Sequence, residues 1–176
     1  GQAKLGLRRK PPFLRDRGMP RQQRAFEWCC GAGFIAFSMY AQGLCETIGM
    51  SDISTQAIRA CRHTIEKNRL AGRAIAYVSD NLKDIPASEK WDLVLCNPPH
   101  HADEYFGDRR GYDGEWQLRR DFYATVSPFL KSGGVIVVCE NNRASTVDDD
   151  FRAMIEDGGL TIVATHNNVP ERTRED

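Results

Sequence analysis

The sequence has no net charge: 24 lysine and arginine side chains are matched by 24 aspartates and glutamates. A chain so balanced is not, as a whole, an electrostatic binder of nucleic acid, because attraction to phosphates scales with uncompensated cations. It has no apolar run near the ~20 residues that a membrane-spanning helix needs. No secretory leader is visible, and a cytoplasmic protein is expected. The six cysteines, Cys29, Cys30, Cys45, Cys61, Cys96 and Cys139, never stand in a CxxC pair. They fall mostly in expected strands or on helix faces. This argues against a zinc site or a disulfide framework and for buried thiols in a reducing compartment. No metal ion is expected, and no internal repeat is found.

What the chain does have is length and apolar content for one domain with a core; at 176 residues and 41% hydrophobic composition it is too short for two. Its charge is unevenly spread. Residues 1–24 carry Lys4, Arg8, Arg9, Lys10, Arg15, Arg17, Arg21 and Arg24 against Asp16 alone, and the segment from Asp148 onward is acidic. The same 24 residues lack hydrophobic periodicity and contain Pro11-Pro12 and Gly18-Met19-Pro20, so an extended basic arm is expected there. Such an arm either tracks phosphates or is a solvated leader.

From Ala25 onward short apolar runs alternate with helical patterns. Strands are expected over 25–30, 44–51, 74–79, 93–96, 135–140 and 160–165. The spacing predicts helices over 34–42, 54–70, 115–130 and 146–157. Their inner faces would carry Phe34, Ile35, Phe37 and Ser38, then Ile58, Cys61 and Ile65. Trp116, Arg119, Phe122, Tyr123 and Val126 would follow, and finally Phe151, Met154 and Ile155. Strands joined by crossover helices require a parallel sheet, so the expected fold is α/β, doubly wound and Rossmann-like. The single domain would span 25–168, with a polar tail over 169–176.

Four segments carry chemistry. Glu27-Trp28-Cys29-Cys30-Gly31-Ala32-Gly33 lies between a strand and a helix, where glycines let the backbone approach a ligand and a helix N-terminus offers free N–H groups. Asp52 follows about 20 residues on, where an acid can accept two ribose hydroxyls. Asp80-Asn81 ends the third strand and could hydrogen-bond an adenine edge, although Asx residues end strands for purely structural reasons too. Asn97-Pro98-Pro99-His100 ends the fourth; two prolines cannot continue a ladder or a helix, so the backbone leaves the sheet extended and holds an amide at the strand's carboxyl end.

Together these segments resemble class I S-adenosylmethionine-dependent methyltransferases over about residues 25–165. Gly31 and Gly33 match the family's glycine-rich loop, Glu27 its acidic residue, Asp52 the ribose-binding acid and Asp80 the adenine-side residue. Asn97-Pro98-Pro99-His100 resembles the Asn-Pro-Pro-aromatic motif of members that methylate planar nitrogens, and Lys131-Ser132-Gly133-Gly134 resembles their Lys-Pro-Gly-Gly turn. The resemblance implies S-adenosyl-L-methionine as cofactor, lined by Glu27, Cys29, Gly31, Gly33, Asp52, Ile53, Asp80, Asn81 and Asn97. Departures are Cys29 at the loop's usual first glycine, His100 at the usual Tyr or Phe, and no counterpart of the family's last antiparallel strand after Asn168.

The motif has its own physical logic. A planar amine or amide is a poor nucleophile because its lone pair is delocalised. Acceptors at the Asn97 side-chain oxygen and the Pro98 carbonyl would bind its hydrogens and favour the transition state, in which positive charge grows on nitrogen. His100 would stack on the planar group or take the released proton. His101, Tyr105, Tyr112 and Trp116, with Arg119, border the same edge as expected substrate contacts, whereas His63 and His166 read as surface or packing residues.

The expected activity is methyl transfer to such a nitrogen, with an RNA base favoured by the basic arm, and a small molecule or a protein glutamine as alternatives. Two other classes stay open. A nicotinamide-dependent oxidoreductase would share the loop and Asp52, but no Tyr-x-x-x-Lys dyad is present and Asn-Pro-Pro-His would go unused. A non-catalytic scaffold would accommodate Cys29 and His100.

Overall fold

Unbroken apolar runs such as Leu93-Val94-Leu95 suit strands covered on both faces. The computed structural model describes residues 20–100, 111–139 and 148–165, with residues 148–150 described by their backbone only. Its elements run β1 (Gln22–Trp28), α1 (Phe34–Ala41), β2 (Cys45–Asp52), α2 (Thr55–Lys67), β3 (Ala74–Val78), β4 (Trp91–Cys96), α3 (Gln117–Val126), β5 (Leu130–Val138) and α4 (Asp148–Asp157). All strand pairings are parallel, in the order β3-β2-β1-β4-β5. The expected doubly wound α/β fold is therefore present.

Each face of the sheet buries its own core. Ile35, Met39 and Ile58 pack with Ala25, Ile48, Leu93 and Leu95 on one side. Phe122, Val126, Phe151 and Met154 pack with Phe26, Trp28, Trp91 and Val94 on the other. Trp91 stacks on Phe26 with centroids 3.8 Å apart, and Trp28 on Phe122 at 3.9 Å. No helix among the described residues is long and apolar enough to cross a membrane.

Several expected boundaries move. β1 begins at Gln22, so residues 22–24 are strand rather than arm; residues 1–19 lie outside the described residues. The left-handed turn at Gly33 sets the phase of α1, which buries Ile35, Ala36 and Met39 and leaves Phe34 at the exposed end of its first turn. α3 starts at Gln117, because Glu115 (φ 52°) and Trp116 (φ 58°) are left-handed and cannot belong to an α-helix. β5 starts at Leu130, and Lys131 to Gly134 forms a bulge: Leu130 and Val135 pair with Trp91 and Leu93. The strand expected over 160–165 is irregular; Leu160 packs on the second core, but Val163 is exposed and the segment joins no strand among the described residues. The expected helix over 146–157 is described from Asp148.

Candidate active site

The ladder register brings the chemistry to one edge. Trp28 pairs with Ser51 on one side and with Cys96 on the other, so the glycine loop after β1, Asp52 at the end of β2 and Asn97 after β4 all leave the sheet at its carboxyl edge. From β1 the chain crosses to β2, while β4 lies on the other side. The gap between β1 and β4 is thus the switch point at which open α/β sheets bind ligands.

The loop is held through both backbone polar groups of one residue, Gly31. The Gly31 N–H donates to Asp52 Oδ2 at 2.7 Å, and the Gly31 carbonyl accepts from the Cys30 and Cys61 thiols at 3.3 and 3.4 Å. Gly31 sits at φ 51° with open space where a Cβ would be, leaving the backbone approachable. At Gly33 a Cβ would meet Phe37 and Met50 within 3.0 Å, so that glycine serves close packing of α1 on β2. Cys29 also has positive φ (53°), which is a physical reason for glycine at that position elsewhere. Burial, reinforced by the nearby Asp52 charge, pushes its thiol well above the ordinary range; Cys30 is pushed up by its hydrogen bond to Cys61 and by burial. None of this makes a nucleophilic thiolate.

Each expected cofactor residue has a definite place. Glu27 is buried, and its Oε2 accepts the Ala36 N–H at 2.7 Å, tying β1 to the first turn of α1. Asp52 uses Oδ1 on the Ser54 N–H (2.8 Å) as well as Oδ2 on Gly31, and a carboxylate retains lone pairs for further donors. Ile53 is 69% exposed beside it. Asp80 is exposed and pairs with Lys83. Asn81 is buried at φ 60°; its amide donates to the Leu118 carbonyl at 3.1 Å, while its Oδ1 has no partner, nor has Ser51 Oγ.

At the Asn-Pro-Pro corner, Asn97 Oδ1 lies 3.3 Å from His100 Nε2, so the imidazole contacts the amide it was expected to work beside. Pro98 is buried and Asn97 exposed. Tyr112 is partly exposed, as a substrate contact requires. Trp116 is not presented to solvent: it is 6% exposed, edge-on to Phe151 and under Arg119. His101 and Tyr105 lie outside the described residues. His63 is exposed on α2, as expected. The described residues include no cluster of His, Cys, Asp or Glu able to hold a metal.

One pairing escaped sequence reasoning, and it corrects the expectation for Arg119, which is 1% exposed and bound in an ion pair rather than open to a substrate. Asp113 Oδ2 and Arg119 Nη1 form a buried ion pair at 2.7 Å, Asp113 Oδ1 accepts the Leu118 N–H at 2.8 Å, and the Arg119 guanidinium lies 4.8 Å from the Trp116 ring and 5.4 Å from Phe151. The pair locks the left-handed turn at Glu115 and Trp116. Two residues six apart share no helical face, so no periodicity could have disclosed it.

A glycine loop, an acid at the end of β2 and an Asn-Pro-Pro corner on one edge of a 3-2-1-4-5 parallel sheet define a class I methyltransferase fold. The ribosomal protein L11 methylase of Lactobacillus delbrueckii subsp. bulgaricus shares it, with a TM-score of 0.64 at 15% identity, over 89% of this chain and 70% of that one. The chain belongs to the methyltransferase small-domain family, whose model matches residues 13–156. Two relatives are similar in sequence. The ribosomal RNA small subunit methyltransferase C of Actinobacillus pleuropneumoniae serotype 3 (strain JL03) is 33% identical over 64% of this chain and 30% of that protein. The ribosomal RNA large subunit methyltransferase G of Vibrio vulnificus (strain YJ016) is 27% identical over 78% of this chain and 34% of that protein. The chain thus spans about a third of the length of these curated relatives.

Proposed function

We propose that this domain catalyses methyl transfer from S-adenosylmethionine to a planar amine nitrogen of an RNA base. The reading is supported by the register of Trp28 with Cys96, from which the glycine loop and Asn97-Pro98-Pro99-His100 follow at neighbouring strand ends on either side of the β1/β4 gap. The RNA acceptor is supported by the two relatives, both named as ribosomal RNA methyltransferases.

The residues fit such a cofactor. Asp52 retains lone pairs for ribose hydroxyls, Asn81 Oδ1 is a buried acceptor awaiting a donor such as an adenine edge, and Gly31 leaves room for close backbone approach. The sulfonium supplies an electrophilic methyl group. The chain's part is then to orient and polarise the acceptor. Asn97 Oδ1 exchanges its His100 contact for an amine N–H, the Pro98 carbonyl takes the second hydrogen, and the nitrogen lone pair turns toward the methyl. In this reading His100, whose Nε2 faces the amide oxygen at 3.3 Å, takes the proton that the nitrogen sheds once that contact has been exchanged.

Calorimetric titration with S-adenosylmethionine and with NADH tests the cofactor, and labelled-methyl transfer to ribosomal RNA tests the reaction. The first cofactor alone should bind, and Asn97→Ala should lower the transfer rate by roughly 10²-fold, the loss of one transition-state acceptor, with little change in affinity. Binding of NADH alone would move the protein to the oxidoreductases. Full activity in Asn97→Ala would refute the mechanism.

A further inference from the structure

We infer that the outward stripe of α2, formed by Arg59, His63 and Lys67 and continued by Arg69 and Arg73, is a docking face for RNA phosphates; this rests on the RNA reading above. The sequence expectation placed phosphate contacts on the arm, but a second basic surface lies within the described fold. From Ile53 to Ser79 the chain carries Arg59, Arg62, Lys67, Arg69 and Arg73 against Glu66 as its only acid, although the whole molecule is neutral.

The helix phase decides which of these face outward. Ile58, Cys61 and Ile65 pack into the first core. Arg59, His63 and Lys67, spaced by four residues, therefore form a row on the opposite side, each step rising about 6 Å along the axis. All three are exposed, as are Arg69 and Arg73 in the turn that follows. Arg62 has other work: its guanidinium donates to the Ala76 carbonyl at 3.1 and 3.3 Å.

Charge pairing separates this face from most other described cations; Lys90 and Arg120, the two outside α2 and its following turn that lack an ion pair, reach the Pro128 and Glu115 carbonyls instead. Arg21, Arg24, Lys83, Arg119, Lys131 and Arg152 each meet a carboxylate. Among the described residues no cation of the α2 face is in an ion pair; Arg73 instead donates to the Tyr40 hydroxyl. A row of unneutralised like charges costs the isolated fold a little and suits an extended polyanion. It does not suit a protein partner, because such interfaces need an apolar centre and none of the large exposed apolar residues lies on α2.

The test is fluorescence anisotropy with a labelled RNA stem-loop, titrated between about 50 and 200 mM salt. The whole chain is compared with the variant Arg59→Gln/Lys67→Gln/Arg69→Gln, with S-adenosylmethionine affinity and thermal melting as controls of folding. The variant should bind RNA at least about tenfold more weakly, with a slope of log K against log salt shallower by about 2–3. Equal binding and slope in the two proteins would overturn the α2 assignment while leaving the RNA reading in place. No salt-dependent RNA binding by the unaltered chain would overturn both.

Discussion

Replacing Arg119 by methionine is the sharpest perturbation of the turn that leads into α3. Both partners of the Arg119–Asp113 pair are 1% exposed. The substitution keeps most of the volume but leaves the Asp113 carboxylate with the Leu118 N–H as its remaining partner. Removing one member of a buried ion pair costs about 3–5 kcal/mol, since the charge left behind has neither water nor counter-ion. Lost contact of the guanidinium with the Trp116 and Phe151 rings adds to this, and methionine's apolar contacts offset part of it. About 4 kcal/mol is a large share of the roughly 5–15 kcal/mol that holds a domain folded. With a urea slope of about 2 kcal/mol/M, the midpoint should fall by about 2 M. The assay is urea unfolding followed by tryptophan fluorescence, which Trp28, Trp91 and Trp116 report from the second core. Adding Asp113→Leu should restore at least half of the loss, because two apolar groups replace two charges. A fall below about 0.5 M, or no recovery in the double variant, would refute the reasoning.

Three further outcomes are expected. Asp52→Ala removes the acceptor of both the Gly31 and Ser54 N–H groups, so it should weaken S-adenosylmethionine binding at least about tenfold and lower stability by about 1–2 kcal/mol; calorimetry and denaturation read these separately. Glu115→Gly relieves a left-handed non-glycine residue (φ 52°) on the surface and should raise stability by about 0.5–1 kcal/mol, visible as a higher melting temperature. The third concerns acid. Burial alone would raise the Glu89 carboxyl, but hydrogen bonds from Arg24, Trp91 and Tyr77 outweigh it and hold the group below its usual value of 4.5. A depressed folded-state value means that this stabilisation is complete above the unfolded value and is lost as pH falls through the folded one. Urea midpoints should therefore decline below about pH 4.5, and Arg24→Met should flatten that decline.

The sequence by itself determined the fold class and the strand ends that carry the candidate residues. Unbroken apolar runs, glycines after the first, and paired prolines after the fourth are local signals, because strand propensity, positive φ and a missing N–H are properties of neighbouring residues. Those signals placed Gly31, Asp52 and Asn97 at strand ends, and a parallel sheet brings such ends to one edge. Only the tertiary structure decided how these residues are used. The Glu27 carboxylate serves α1, and Asp52 clamps the Gly31 N–H while the Gly31 carbonyl is held by Cys30 next to it and by Cys61, 30 residues further on. The Asp113–Arg119 pair, the left-handed Trp116 and the unpartnered Asn81 oxygen depend on how α3 packs beside the loop after β3. The failure of 160–165 to become a strand was likewise beyond the sequence, since a short apolar run permits an extended segment but cannot supply its neighbour. Contacts between residues distant in the chain are set by packing and desolvation across elements, and no window of sequence holds both sides of such a contact.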